Sequence, residues 1–271
     1  MDKTKIDWCD STWNPVTGCR HGCPYCYARG ITRRFVSRKG CEVIEPETYC
    51  IAASDGSELY EVNEQAYFLN KEDSSRYKCI YPHGFIPTLH RYRLGEYKDK
   101  QKPRNIFVGS MTDIFAEYIP NRWRREVFNV CEDALQHNYL FLTKNPAKYL
   151  ELVKCGELPK GNNFWYGSTA PTPNTKYFYD ESHQYHTFLS IEPILEDFGC
   201  TAKYATFPEW IIIGAETGNR KDKVIPKREW IENIVNHCRK RNIPVFMKSS
   251  LSDVWGKNLI QEFPQELTNG K

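Results

Sequence analysis

The sequence predicts an α/β protein: a partial (β/α)6-type TIM barrel of parallel strands, with an irregular insertion after the first helix. Three observations carry this. Short apolar runs alternate with helical periods from Asn105 onward, the pattern of βαβ units. The runs are continuously apolar, as in strands covered on both faces. Each run ends in polar groups, which a parallel barrel gathers at one rim.

The six runs are 106–108, 139–142, 164–167, 187–191, 210–214 and 245–247. Ahead of them, Ile6 to Gly18 reads as an extended segment and Cys26 to about Arg38 as the first helix. Residues 39–104 hold a sustained period of neither kind and read as an insertion of loops and short strands. Asn121 to Gln136 is helical by the spacing of Trp123, Val127, Val130, Cys131 and Leu135. Pro146 opens a helix to Val153, where its missing N–H is harmless. Lys227 to Arg241 is the last helix. The whole chain, 1–271, is expected to be one barrel domain carrying the insertion.

With 40% hydrophobic and 26% charged residues the composition is that of a globular protein. A net charge of +3 gives no bulk attraction to nucleic acid. No apolar run approaches the ~20 residues of a membrane span, and Met1 to Lys5 lead into no apolar segment. The expectation is a cytoplasmic protein with no membrane partner. Its eleven cysteines then read as core, catalytic or metal-bound rather than as disulfides.

The segment Cys19-Arg20-His21-Gly22-Cys23-Pro24-Tyr25-Cys26 has the spacing C-x3-C-x2-C. Three thiolates this close can wrap one metal centre. A cubane iron–sulfur cluster takes four ligands, so three would leave one iron open, much as catalytic zinc keeps an open position. A zinc knuckle would recruit His21, which sits inside the short loop, and would need a second pair of ligands downstream. A redox dithiol reading of Cys23-Pro24-Tyr25-Cys26 leaves Cys19 without a role. A purely structural trio is the remaining alternative.

The spacing, with Tyr25 in the aromatic position, resembles the radical S-adenosylmethionine (SAM) superfamily. The likeness extends to Ile6-Asp7-Trp8, Thr12 to Cys19, Ile106 to Phe115, Leu142-Thr143-Lys144, Ser190-Ile191-Glu192-Pro193, Trp210 to Gly218 and Phe246-Met247-Lys248. These segments look like a phage-associated, uncharacterised three-cysteine branch, distantly similar to spore photoproduct lyase, which repairs a thymine lesion in DNA. The resemblance implies a [4Fe-4S] cluster on Cys19, Cys23 and Cys26, whose open iron binds SAM. Reductive cleavage then gives methionine and a 5′-deoxyadenosyl radical that takes hydrogen from substrate. An electron donor such as flavodoxin or ferredoxin follows as a partner.

The superfamily's Gly-Gly-Glu is missing, and Gly109-Ser110-Met111-Thr112-Asp113 stands in its place. Ser110 and Asp113 are therefore expected to receive the SAM ammonium, although Asp113 could equally cap the next segment. The resemblance further assigns Tyr25, Ser168, Thr169, Ser190, Glu192, Gly214 and Glu216 to SAM. Lys144 and Lys248 would be rim cations for its carboxylate or a substrate phosphate, or structural ion-pair partners of Glu192 or Glu216. Cys41, Cys50 and Cys79 are candidates for an auxiliary cluster, with Cys9, His83 and His90 as further ligands; Cys131 and Cys238 read as core. The favoured substrate is a nucleic acid or nucleotide, with basic–aromatic clusters at Arg29, Arg33, Arg34, Phe35 and Arg38 and at His90 to Arg93. A peptide or protein substrate, or a non-catalytic metal-binding module, are the alternatives.

Overall fold

A computed structural model describes residues 4–199 and 208–268. Residues 1–3 and Cys200 lie outside the described residues. In chain order the first elements are β1 (Ser11–Trp13), β2 (Val16–Thr17), α1 (Tyr27–Phe35), β3 (Cys41–Ile44), β4 (Thr48–Ala52), β5 (Glu58–Val62), β6 (Tyr67–Asn70), β7 (Arg76–Lys78) and β8 (Thr88–His90). There follow β9 (Asn105–Val108), α2 (Asn121–Glu132), β10 (Asn138–Thr143), α3 (Pro146–Lys154), β11 (Phe164–Thr169), β12 (His186–Ile191), β13 (Trp210–Ile213), α4 (Arg228–Arg239), β14 (Val245–Met247) and α5 (Ser252–Trp255). The chain divides into two compact units: residues 1–12, 101–108 and 135–271, and residues 13–100 and 109–134.

The first unit is built on a seven-stranded parallel sheet, curled into a half-barrel, in the order β1-β9-β10-β11-β12-β13-β14. The six expected strands are its β9 to β14; the seventh is β1, from the segment read only as extended. Because successive side chains in a strand point to opposite faces, the sheet sorts its residues in two sets. Phe107, Leu140, Trp165, Phe188, Trp210, Ile212 and Phe246 share one cluster with Trp8 and Leu267. Leu189, Ile191, Ile211, Ile213, Val245 and Met247 pack on the other side with Ile231, Ile234, Val235 and Cys238 of α4. The α4 residues recur at three- and four-residue steps, one helical face. Each such buried side chain contributes roughly 1.5–3 kcal/mol.

The second unit holds α1, α2 and two small sheets. One has the order β2-β8-β5-β4 and the other β3-β6-β7. The insertion is thus more regular than its composition suggests: β4–β5 and β3–β6–β7 are antiparallel ladders. Several of their strands are largely exposed and mix polar with apolar residues, so no continuous apolar run marks them in the sequence. Helix α2 ends at Glu132, with the Asp133 N–H bonded to Asn129 O, so Leu135, expected on its apolar stripe, is 65% exposed.

Candidate functional site

The cysteine loop belongs to the second unit, where Cys19, Cys23 and Cys26 are each half-buried. Cys26 is the N-cap of α1: its extended backbone precedes the helix and its Sγ accepts from the Arg29 N–H at 3.4 Å. The Cys26 N–H donates to Cys23 O at 3.2 Å, closing a tight turn.

The segment from Gly109 to Tyr118 cradles this loop. Gly18 N–H donates to Met111 O at 3.0 Å, and the Thr112 hydroxyl donates to Gly18 O at 2.7 Å. The Tyr118 hydroxyl accepts from Arg20 N–H at 2.8 Å and reaches Cys19 Sγ at 3.5 Å. Burial raises the Cys19 thiol above its ordinary pKa, with the Tyr118 bond opposing that shift. Asn14 Oδ1 accepts from the Ser110 hydroxyl at 3.1 Å and from Met111 N–H at 2.9 Å. Tyr27 donates to Ser110 O at 2.6 Å. Sequence reasoning missed Asn14, Thr112 and Tyr118, since an isolated Asn or Tyr carries no motif; their roles come from contacts that cross 94 to 99 residues of chain.

Asp113 is buried, and Nε2 of His21 lies 2.8 Å from its Oδ2. Its Oδ1 accepts from Phe115 N–H at 3.1 Å, which is the capping role weighed against the SAM role. Tyr25 is half-buried on the same loop. Among the described residues, no three His, Cys, Asp or Glu side chains converge into a metal-ligating group.

The strand-end residues belong to the barrel unit. By the alternation of β10 to β14, Lys144, Thr169, Ser190, Glu192, Gly214 and Lys248 follow the Leu140–Phe246 face. Lys248 forms an ion pair with Glu192, the structural partnership considered for it. Gly214 is wedged between them: a Cβ there would meet Glu192 Cγ and Lys248 Cδ at 3.1 Å. Its N–H and C=O are bonded to Ile191 O and Ile194 N–H. Ser190 is 1% exposed, and its hydroxyl has no hydrogen-bond partner among the described residues. Ser168, one residue before Thr169, turns to the opposite face, where its hydroxyl accepts from Phe178 N–H at 2.9 Å. Glu216 is held by both nitrogens of the Arg220 fork at 2.7 and 2.8 Å, which keeps its carboxyl below the usual range.

The second set of cysteines does not assemble. Cys41 and Cys79 share a small apolar cluster with Phe68, whereas Cys50 is exposed on β4 of the other sheet. His83 stacks on Tyr60 with ring centres 3.9 Å apart, and His90 is buried against the Thr17 hydroxyl. Cys9 sits in the barrel unit with its thiol pushed up to about 12 by burial. Cys131 and Cys238 are fully buried, as core residues.

Over residues 3–262 the chain matches the family described as a protein of unknown function, DUF5131. The chain belongs to the DUF5131 family. No curated protein and no solved structure matches it. The match spans both units of this DUF5131 chain, from the cysteine loop to the segment after β14.

Proposed function

We propose that this DUF5131 protein is a radical SAM enzyme, with Cys19, Cys23 and Cys26 holding a [4Fe-4S] cluster. The observation that supports it most is the cysteine loop itself. Three half-buried thiols lie within eight residues, on a turn anchored at one end by the α1 N-cap and at the other by the Tyr118 and Thr112 bonds. The donor set fits an iron–sulfur cluster by its chemistry: all-thiolate, and one ligand short of four. Gathering the thiols onto the cluster is part of the reading.

When bound, the cluster and SAM supply reductive carbon–sulfur cleavage and a 5′-deoxyadenosyl radical. The chain's own residues do the rest. The 109–118 segment fixes the loop. Among the barrel residues, the unpartnered Ser190 hydroxyl is the best candidate for a SAM hydroxyl or carboxylate, since a buried polar group without a partner is costly. Thr169, Glu192, Lys144 and Lys248 are assigned with it, and Ser110 and Asp113 are further SAM candidates. Ser168 and Glu216 fit positioning roles; Ser110, Asp113 and the Glu192–Lys248 pair also have polar atoms engaged, so each of these would meet SAM by exchanging a protein partner. The reading places the protein with an electron donor of the flavodoxin or ferredoxin type, and with a nucleic acid or nucleotide as substrate.

Anaerobic reconstitution tests it. About four irons per chain are expected, with 5′-deoxyadenosine released on adding SAM and dithionite, and none from Cys23→Ala. Zinc without visible absorption, or a filled cluster that leaves SAM intact, would overturn the reading in favour of a metal-binding module.

A further inference from the structure

We propose that the groove between α1 and the Gly84–Ile86 loop binds a nucleotide unit, its phosphate on Arg20, Arg29 and Arg33 and its base against Phe85. The groove encloses about 440 Å³ and is lined by Cys19, Arg20, Arg29, Thr32, Arg33 and Val36 on one side and Gly84, Phe85 and Ile86 on the other. That volume lies within the range of small-ligand sites, ~300–1,000 Å³.

Helix geometry builds the basic wall. Arg29, Thr32, Arg33 and Val36 are spaced i, i+3, i+4 and i+7, so they fall on one face of α1 and its C-cap. The lining carries three guanidinium groups and no carboxylate. Arg20 is partly engaged: its Nη1 is ion-paired with the half-exposed Asp55 at 3.6 Å and its Nη2 donates to Glu58 O, which leaves Arg29 and Arg33 as the principal free cations of the groove wall. Nε of Arg29 is buried with no hydrogen-bond partner among the described residues, and Nη1 of Arg20 has only the long ion pair to Asp55. A buried donor in that state costs about 1–3 kcal/mol, which an incoming oxyanion relieves. The planar fork of arginine matches phosphate oxygens in pairs.

The apolar wall narrows the ligand. Phe85, Val36 and Ile86 offer an apolar surface beside the cations, Phe85 with a planar ring, and the Arg29 guanidinium lies 5.4 Å from that ring's centre. Thr32 adds no competing donor, because its hydroxyl is bonded to Ala28 O. A lone carboxylate would leave most of these donors unused. Phosphate joined to a planar base uses both walls. The other basic run is spent internally: Arg91 pairs with Glu61 and Glu126, and Arg93 donates to the carbonyls of Asn14 and Ile80.

Cys19 lines the same groove, so the occupant lies against the cysteine loop. Its role as substrate rests on the radical SAM reading; its binding does not. The test is fluorescence anisotropy with a fluorescein-labelled 12-nucleotide single strand, as DNA and as RNA, with adenosine monophosphate and inorganic phosphate as competitors. Arg29→Ala and Arg33→Ala are each expected to weaken strand binding about tenfold, whereas Lys257→Ala, on the barrel unit, leaves it unchanged. Three phosphate contacts give a salt slope of about −2 on a single strand, so a fourfold rise in salt weakens binding roughly fifteenfold. Phe85→Ala should lose the strand and the mononucleotide while keeping inorganic phosphate. Competition by the mononucleotide at micromolar concentration identifies a free nucleotide as ligand; competition only by strands identifies nucleic acid. No binding of strand or mononucleotide, equal binding by the double Arg29→Ala/Arg33→Ala variant, or equal competition by polyglutamate overturns the proposal. Thermal melting of each variant separates lost binding from lost folding. Iron content is measured on the same preparations. Strand binding by protein that takes up no iron on anaerobic reconstitution would sink the radical SAM reading and leave the groove standing; SAM cleavage without strand binding does the reverse.

Discussion

Tyr118 shows how much one side chain can hold. Its hydroxyl serves both the Arg20 N–H and the Cys19 thiol. Tyr118→Phe is expected to cost about 1–2 kcal/mol, because it strands a backbone donor; an unmoved urea midpoint would show that the bond contributes nothing. Ser190 is the converse case, a buried hydroxyl with no partner among the described residues. Ser190→Ala should leave the ligand-free protein equally or more stable by up to ~1 kcal/mol, yet retain less SAM in equilibrium dialysis. The His186–Glu209 pair carries a pH signature. Nδ1 of His186 lies 2.6 Å from Glu209, and that hydrogen bond raises the imidazole pKa above its ordinary 6.5. A raised pKa means a stabilisation fully present below about pH 6.5 and lost as pH climbs through the folded value. The urea midpoint should therefore fall on passing from pH 6 to pH 9 by more in the parent than in Glu209→Gln, the difference amounting to at most about 1 kcal/mol for a partly exposed pair. Tyr118 and His186 did not stand out in the sequence, because each acts through a residue distant in the chain; Ser190 did, as a SAM candidate, but its lack of a protein partner is visible only in the fold.

At the scale of elements, the turn into the cysteine loop depends on Gly18. Its φ is +88°, and an added Cβ would sit 2.4 Å from Ile86 O. Gly18→Ala is expected to cost at least about 2 kcal/mol from strain and clash together. Gly30, on the open side of α1 with nothing within 4 Å, should behave oppositely. Gly30→Ala should stabilise by roughly 0.5–1 kcal/mol through helix propensity. Chemical unfolding of the two variants checks both signs. The same contrast explains what was legible. Strands β9 to β14 and helices α2 to α4 were readable because long apolar runs and helical periods are local properties. β9, β13 and β14 are as short as the strands of residues 39–90 but are buried throughout, whereas β3, β4 and β7 are largely exposed and mix polar with apolar residues, so only their partners make them strands.

At the scale of the whole molecule, a cluster that binds the folded chain and not the unfolded one must raise the melting temperature by mass action. Reconstituted protein is expected to melt higher than the iron-free form, and Cys26→Ala should abolish the difference. Identical melting of the two parent forms, with iron bound, would argue against the three cysteines as the site.

The Cys19–Cys23–Cys26 spacing, the alternation of strands and helices, and the polar strand ends are written in the sequence, since each depends on neighbours within a few residues. The tertiary structure decided which of those polar ends are engaged. It turned Ser168 to the opposite face from Thr169, tied Lys248 to Glu192, and paired Asp113 with His21. It also drew two basic clusters apart in character, leaving Arg29 and Arg33 along a groove while Arg91 and Arg93 were consumed by internal partners. A charge or hydroxyl has the same letter whether it is satisfied or not. Only the partners brought to it by long-range packing determine whether it stabilises the fold or is left to meet a ligand.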